Sequence, residues 1–223
     1  LGSKNKLKRF KENETFDNVI QPTREEVLEG FKLKGRWQQE FGNTNPICLE
    51  LGCGKGEYTI ALARKNPNIN YIGIDIKGAR FWRGAKTALE ENLPNVRFLR
   101  TQIELVDYVF GHEEISEIWI TFPDPQIKYQ RTKHRMTNPD FLDKYRKIIK
   151  KGGYMNLKTD SEFMFGYTLG LLQGLGEEIS YAHHDIYKNN EAPEDVVGTQ
   201  TFYEQQYLEQ NKKITYLRFK LRA

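Results

Sequence analysis

A chain of 223 residues, with 34 Lys and Arg against 30 Asp and Glu, is long enough for one α/β domain with a buried core, and its net charge of +4 permits an anionic partner without demanding one. No apolar run approaches the ~18 residues needed to span a bilayer, and no signal peptide opens the chain, so a cytoplasmic protein without a membrane partner is expected. Cys48 and Cys53, the two cysteines, are too few for a disulfide framework and lack the His neighbours of a zinc site; both are expected to be reduced and structural, and no metal is expected.

In chain order, the first stretch sets Lys4, Lys6, Lys8, Arg9 and Lys11 around Leu7 and Phe10 and reads as a solvated arm. Residues 23 to 41 carry a helical pattern through Val27, Leu28, Phe31 and Trp37, opened by Thr23 with Glu26 as capping-box partner. An apolar strand over 47–51 breaks into a glycine turn, a helix from Tyr58 ends at Asn66-Pro67, and a second strand, 71–75, leads to a helix from Gly78 to about Asn92. Further strands are expected at 96–100, 115–122 and 154–158, the last after a helix over 139–150. Strands alternating with helices predict a parallel, doubly wound sheet with ligands at the strands' carboxyl ends. In the tail, 179–187 and 214–221 alternate like antiparallel strands, and the long polar connection 188–212 is a candidate substrate loop. His183 and His184 lie in the first of these without metal-ligand company, so one is expected to face outward and neither to be catalytic.

Chemistry concentrates first in Glu50-Leu51-Gly52-Cys53-Gly54-Lys55-Gly56. Glycine tolerates positive φ and lets a ligand approach the backbone, so Gly52, Gly54 and Gly56 after a buried strand suggest a nucleotide-like ligand. A dinucleotide fingerprint would need glycine at position 57, where Glu57 stands. The pattern E-x-G-x-G-x-G instead resembles motif I of the Rossmann-like S-adenosylmethionine (SAM) methyltransferases. Asp75 ends the next strand 23 residues after Gly52 (75 − 52), where such folds place a carboxylate on ribose hydroxyls.

The second concentration is Phe122-Pro123-Asp124-Pro125 at the end of a strand, followed by Lys128, Arg131, Lys133, His134 and Arg135. Phe122 and Asp124 both precede proline, which biases them to extended backbone and stiffens the acid's setting. The basic run directly follows this acid at the strand end, a position that favours contact with an anionic partner over a merely solvated loop.

Taken with Lys158-Thr159-Asp160 and Thr201-Phe202-Tyr203-Glu204, these motifs resemble the bacterial tRNA (guanine-N7)-methyltransferase family over about residues 35 to 221. The resemblance implies a mostly parallel seven-stranded sheet of the class I SAM-dependent methyltransferases, closed by a C-terminal antiparallel hairpin. It divides the chain into an N-terminal basic arm with an edge helix, 1–34, and a methyltransferase domain, 35–223. It also implies S-adenosylmethionine as cofactor, tRNA as partner and a variable-loop guanosine as target. Carried over residue by residue, it puts Glu50, Gly52, Gly54, Gly56, Asp75, Gln102 and Asp124 on the methyl donor and makes Asp124 the catalytic residue at the base. Lys128, Asp160, Thr201, Phe202, Tyr203 and Glu204 fall on the substrate. Two positions depart from the family pattern: Gln126 stands where Trp is usual, and Gln102-Ile103 where Asp or Asn followed by Ala is usual.

Other readings of these residues stay open. Thr201 and Glu204 fit a capping box opening a helix to Gln210, and Asp160 fits an N-cap. Asp124 can orient guanine through N1–H and N2–H, favour the charge arriving on the purine, or do both. Rival functions are an amino-group or small-molecule methyltransferase, disfavoured by the absence of Asp/Asn-Pro-Pro-aromatic, and a tRNA-binding protein without donor binding, disfavoured by intact glycines and acids. The sequence leaves monomer or homodimer open.

Overall fold

The amino-terminal basic stretch is a helix docked on the domain, as the computed structural model, which describes residues 2–222, shows. This helix, α1 (Gly2–Asn13), packs along α5 (Gly78–Glu90). Asn13 Nδ2 donates to Gly78 O at 2.9 Å, Trp82 Nε1 donates to the Glu12 carboxylate at 2.6 Å, and the Arg9 guanidinium lies 4.8 Å from the Trp82 ring. The expectation of a solvated arm is corrected here, because its partners lie some 65 to 70 residues further along the chain.

After α1 come β1 (Val19–Ile20), α2 (Arg24–Gly30) and α3 (Trp37–Phe41), the last two in place of the single helix expected over 23–41. The Thr23–Glu26 capping box opens α2 as expected. The break follows Gly30 at φ 141° and Gly35 at φ 72°, and Glu114 restarts the chain by accepting the N–H groups of Gly35 and Trp37, both at 2.9 Å. The core unit is then β2 (Ile47–Leu51), α4 (Glu57–Lys65), β3 (Asn70–Ile74), α5, β4 (Val96–Leu99), α6 (Val106–Val109), β5 (Ile115–Thr121), α7 (Pro139–Ile148) and β6 (Ile149–Thr159). It ends with α8 (Glu162–Leu175), β7 (Glu178–His183), α9 (Glu194–Val197), α10 (Phe202–Glu209) and β8 (Thr215–Lys220).

These strands form one sheet in the order β1-β4-β3-β2-β5-β6-β8-β7, parallel except where β8 inserts antiparallel between β6 and β7. The sheet has eight strands rather than the expected seven, because β1 pairs its two residues with Phe98 and Leu99 of β4. Strand alternation splits the core in two. Ile47, Leu49 and Leu51 of β2 pack with Trp37, Ile72 and Ile118 on one face, whereas Cys48 packs with Tyr58, Tyr71 and Trp119 on the other. Both cysteines are buried free thiols, and burial pushes their pKa values up. Since β2 is flanked by β3 and β5, winding reverses there, and a crevice opens beyond their carboxyl ends. Among the described residues, no helix is long and apolar enough to cross a membrane, and no group of His, Cys, Asp and Glu is placed to hold a metal ion.

Candidate active site

The glycine turn caps β2 and is tied to the end of β3, where Ile74 O accepts the N–H groups of Gly52 at 2.8 Å and Cys53 at 3.0 Å. Its glycines do different work. A Cβ on Gly54 would meet only Gly52 O, at 4.0 Å, so the space above that residue is open. A Cβ on Gly56 would lie 2.5 Å from the Phe98 ring, so this glycine, at φ 75°, lets α4 and α5 close on the sheet.

Asp75 links the turn to α5. Its Oδ2 accepts Gly54 N–H at 3.1 Å and its Oδ1 accepts Lys77 N–H at 2.7 Å. Glu50 lies beneath the turn, almost without exposure. It accepts Thr59 N–H at 2.8 Å and the Thr59 hydroxyl on Oε2, and the Thr121 hydroxyl on Oε1 at 2.6 Å, joining β2, α4 and β5. Burial pushes its carboxyl up to about 7, against the lowering effect of the Thr121 and Thr59 hydrogen bonds.

Across the crevice, β5 ends in Phe122 at φ 47°, and Gln126 has φ 48°. The extended backbone expected of Phe122 is therefore not what forms; the residue turns left-handed while its N–H donates to Lys158 O at 2.8 Å. Asp124 is exposed, with Oδ1 accepting Gln126 N–H at 3.1 Å. A cleft of about 440 Å³ brings together Gly52, Asp75, Gln102 and Asp124, with Arg131 and His134 from the basic run. Gln102 Oε1 also accepts a hydrogen bond from Arg24. A larger hollow of about 550 Å³ lies between α2 and the edge strand β1 and holds none of the anticipated site residues.

The remaining predicted residues lie outside this cleft's lining. Thr201 and Glu204 form the capping box of α10, with Glu204 N–H donating to Thr201 Oγ1 at 3.2 Å and Thr201 N–H to Glu204 Oε2 at 3.4 Å. Glu204 is fully buried, 2.7 Å from the Lys158 ammonium, and also accepts the Tyr187 hydroxyl at 2.7 Å. Lys158 donates further to Val196 O at 2.5 Å and Thr199 O at 2.9 Å; burial pulls its pKa down, opposed by Glu204. Phe202 and Tyr203, by contrast, are about half exposed, with Lys55 of the glycine turn 4.5 and 5.4 Å from their ring centroids, and Phe202 N–H donates to Glu57 at 2.9 Å. Asp160 is 3.4 Å from Lys212, and Ser161 rather than Asp160 caps α8. Lys128 and Arg131 are exposed, while Arg135 turns inward. The buried Lys158–Glu204 pair, the Thr59 and Thr121 brace on Glu50, and the cleft residues Lys77 and Arg80 were not singled out from the sequence. Only Lys77 and Arg80 carry a local signal, standing two and five positions after Asp75.

The 16S rRNA methyltransferase KamB superposes with a TM-score of 0.64 at 14% identity over 84% of this chain and 93% of that one, and an antibiotic-related methyltransferase with 0.62 at 19% over 84% and 92%. The fold is that of a class I methyltransferase. A family model described as "Putative methyltransferase" matches residues 44–217. The tRNA (guanine-N(7)-)-methyltransferase of Christiangramia forsetii is 70% identical over 224 residues, covering 100% of both chains, and that of Porphyromonas gingivalis is 46% identical over 93% of this chain and 86% of its own. The chain belongs to the tRNA (guanine-N7)-methyltransferase family.

Proposed function

We propose that this protein transfers the methyl group of S-adenosylmethionine to N7 of a variable-loop guanosine in tRNA, leaving 7-methylguanosine and S-adenosylhomocysteine. The observation that carries the reading, within a family whose members are named tRNA (guanine-N(7)-)-methyltransferases, is the single cleft shared by Gly52, Asp75, Gln102 and Asp124. The residues suit the donor: open space above Gly54 admits a ligand against the backbone, and Asp75 sits at the cleft wall as a ribose-binding acid. When bound, SAM supplies an electrophilic sulfonium methyl. Glu50 acts from below, tying together the elements beside the turn, α4 through Thr59 and β5 through Thr121.

Guanine N7 has an in-plane lone pair and no proton, so the transfer needs alignment at ~3 to 3.5 Å rather than a general base. Asp124 supplies the alignment. Its Oδ1 is held by Gln126 N–H, which leaves Oδ2 to accept from guanine N1–H and N2–H while the opposite edge of the base carries N7. The same carboxylate favours the cationic purine as charge leaves sulfur. Lys128 and Arg131 take backbone phosphates, and Phe202 and Tyr203 offer exposed aromatic faces to a displaced base, with Thr201 and Glu204 fixing them and Asp160 completing the rim. Residues 35–223 carry the chemistry, while α1 covers α5 and β1 borders β4.

The test is an unmodified tRNA transcript incubated with protein and SAM, then treated with borohydride and aniline, which cut at 7-methylguanosine. One cut at a variable-loop guanosine is expected. Methyl incorporation without that cut, or a cut that survives changing the guanosine to adenosine, overturns the reading.

A further inference from the structure

Arg135 closes the basic run, yet it is buried, at 6% exposure. Nε donates to Gln126 O at 3.1 Å and Nη2 to Ile127 O at 3.2 Å, so the guanidinium reaches back to the start of the loop that it ends. Its carbon lies 4.4 Å from the Tyr167 ring centroid and 4.8 Å from that of Phe163, both on α8. Asn138 secures the same loop by donating to Thr132 O and Lys133 O. Gln126 is thereby held at both of its backbone groups: its N–H by Asp124 and its carbonyl by Arg135. With Gln126 at φ 48°, where a side chain resists that backbone, an outside hold is what the turn requires.

We propose that Arg135 is a positioning residue for the reaction, orienting the Asp124 carboxylate through the backbone of Gln126 rather than contacting tRNA phosphate. The inference rests on the role given above to Asp124. A planar fork with several N–H donors suits the task, since one guanidinium reaches two successive carbonyls while stacking on rings; a lysine ammonium offers neither the plane nor the fork. Displacing a reacting group by about 1 Å costs roughly a hundredfold in rate. A loss between tenfold and a hundredfold is therefore the scale expected here.

Single-turnover methylation at saturating tRNA and SAM should fall by that factor in Arg135→Ala and in Arg135→Lys. SAM affinity and the slope of log Kd for tRNA against log salt should stay at wild-type values, and methylguanidine should restore part of the Arg135→Ala rate by filling the place between Phe163 and Tyr167. If Arg135 works through Asp124, Asp124→Ala/Arg135→Lys is no slower than Asp124→Ala alone. Losses that multiply in the double variant, a full rate in Arg135→Lys, or a salt slope lowered by about 0.7 to 0.9 with the rate intact each overturn the inference. Should Arg135→Ala not fold, the Lys variant and the double variant still decide it. An unimpaired Asp124→Ala sinks the role of Asp124 itself, whereas an inactive Asp124→Ala beside fully active Arg135 variants sinks this inference alone.

Discussion

Replacing Lys158 by Met should cost about 3–5 kcal/mol of unfolding free energy, the usual cost of removing one partner from a buried ion pair. The ammonium is the shared centre of the 196–204 segment, 2.7 Å from Glu204 Oε1, 2.5 Å from Val196 O and 2.9 Å from Thr199 O, and neither charged side chain has any exposure. Methionine fills a similar volume, so the loss is electrostatic: a buried carboxylate without its counter-charge and two carbonyls without a donor. Adding Glu204→Gln removes the stranded charge, and glutamine can still complete the capping box with Thr201. The double variant should then lose only about 2 kcal/mol, about 1 for each orphaned carbonyl, and be more stable than the Lys158→Met single variant. Urea denaturation at pH 7 measures both, and hydrogen exchange over residues 196–209 should show where the opening occurs. A single-variant loss below about 1 kcal/mol, the value of a surface pair, or a double-variant loss equal to the sum of the singles, refutes the reasoning.

The carboxyl of Glu50, raised from 4.5 to about 7, keeps a proton in the folded state that the unfolded chain has released, so unfolding free energy should fall as pH rises from 4.5 to 7. At 1.36 kcal/mol per unit this is about 3 kcal/mol; Glu50→Gln should remove the slope, and a stability difference between the two proteins that does not change with pH contradicts it. Gly56→Ala should destabilise more than Gly54→Ala, which bears only the left-handed penalty of about 1–2 kcal/mol, because its Cβ meets Phe98 at 2.5 Å; equal losses in urea titrations would remove the packing role. Gly54→Val should abolish SAM binding in calorimetry, and normal affinity there would detach the turn from the donor. Asp124→Ala should keep the fold and SAM affinity while single-turnover methylation drops about 10²- to 10³-fold; a near-normal rate would exclude the acid. Lys128→Ala should lower the salt slope of tRNA binding by about 0.7 to 0.9, with an unchanged slope pointing to a merely solvated side chain.

The features legible in the sequence are those written in local spacing. Three glycines after an apolar run, an acid closing the next strand, and an acid between two prolines are each decided by neighbours within a few residues, and Gly52, Asp75 and Asp124 do line one cleft. Glu50 reads the same way in sequence but is buried, because alternation along β2 turns it to the α4 side, where Thr59 waits. What was not legible depends on distant partners. The Lys158–Glu204 pair joins residues 46 positions apart, so Glu204, a substrate residue by motif, is held inside the protein. Arg135 stands in a run of cations that reads uniformly as phosphate-facing until α8 supplies Phe163 and Tyr167. The α1 helix looked like an arm for the same reason, since Gly78 and Trp82 are far off in the chain.

Buried ionisable groups thus stand under three parts of the site: Glu50 under the donor turn, the Lys158–Glu204 pair under Phe202 and Tyr203, and Arg135 under the Asp124 turn. Each offsets the cost of leaving water by binding backbone or hydroxyl groups of neighbouring segments rather than by pairing alone. Such a charge has few alternative positions, because shifting any one contact strands the group in low dielectric, so it fixes a loop more firmly than an apolar contact of equal area. A methyl transfer to guanine N7 needs no proton removed and depends on geometry. The segments that set this geometry are turns with left-handed residues at Gly52, Phe122 and Gln126, which apolar packing alone holds poorly. Buried charges beneath the turns answer that requirement. The two halves of the site are also joined at the surface, since the Phe202 N–H donates to Glu57 and Lys55 reaches the Phe202 and Tyr203 rings, linking the substrate loop to the donor turn.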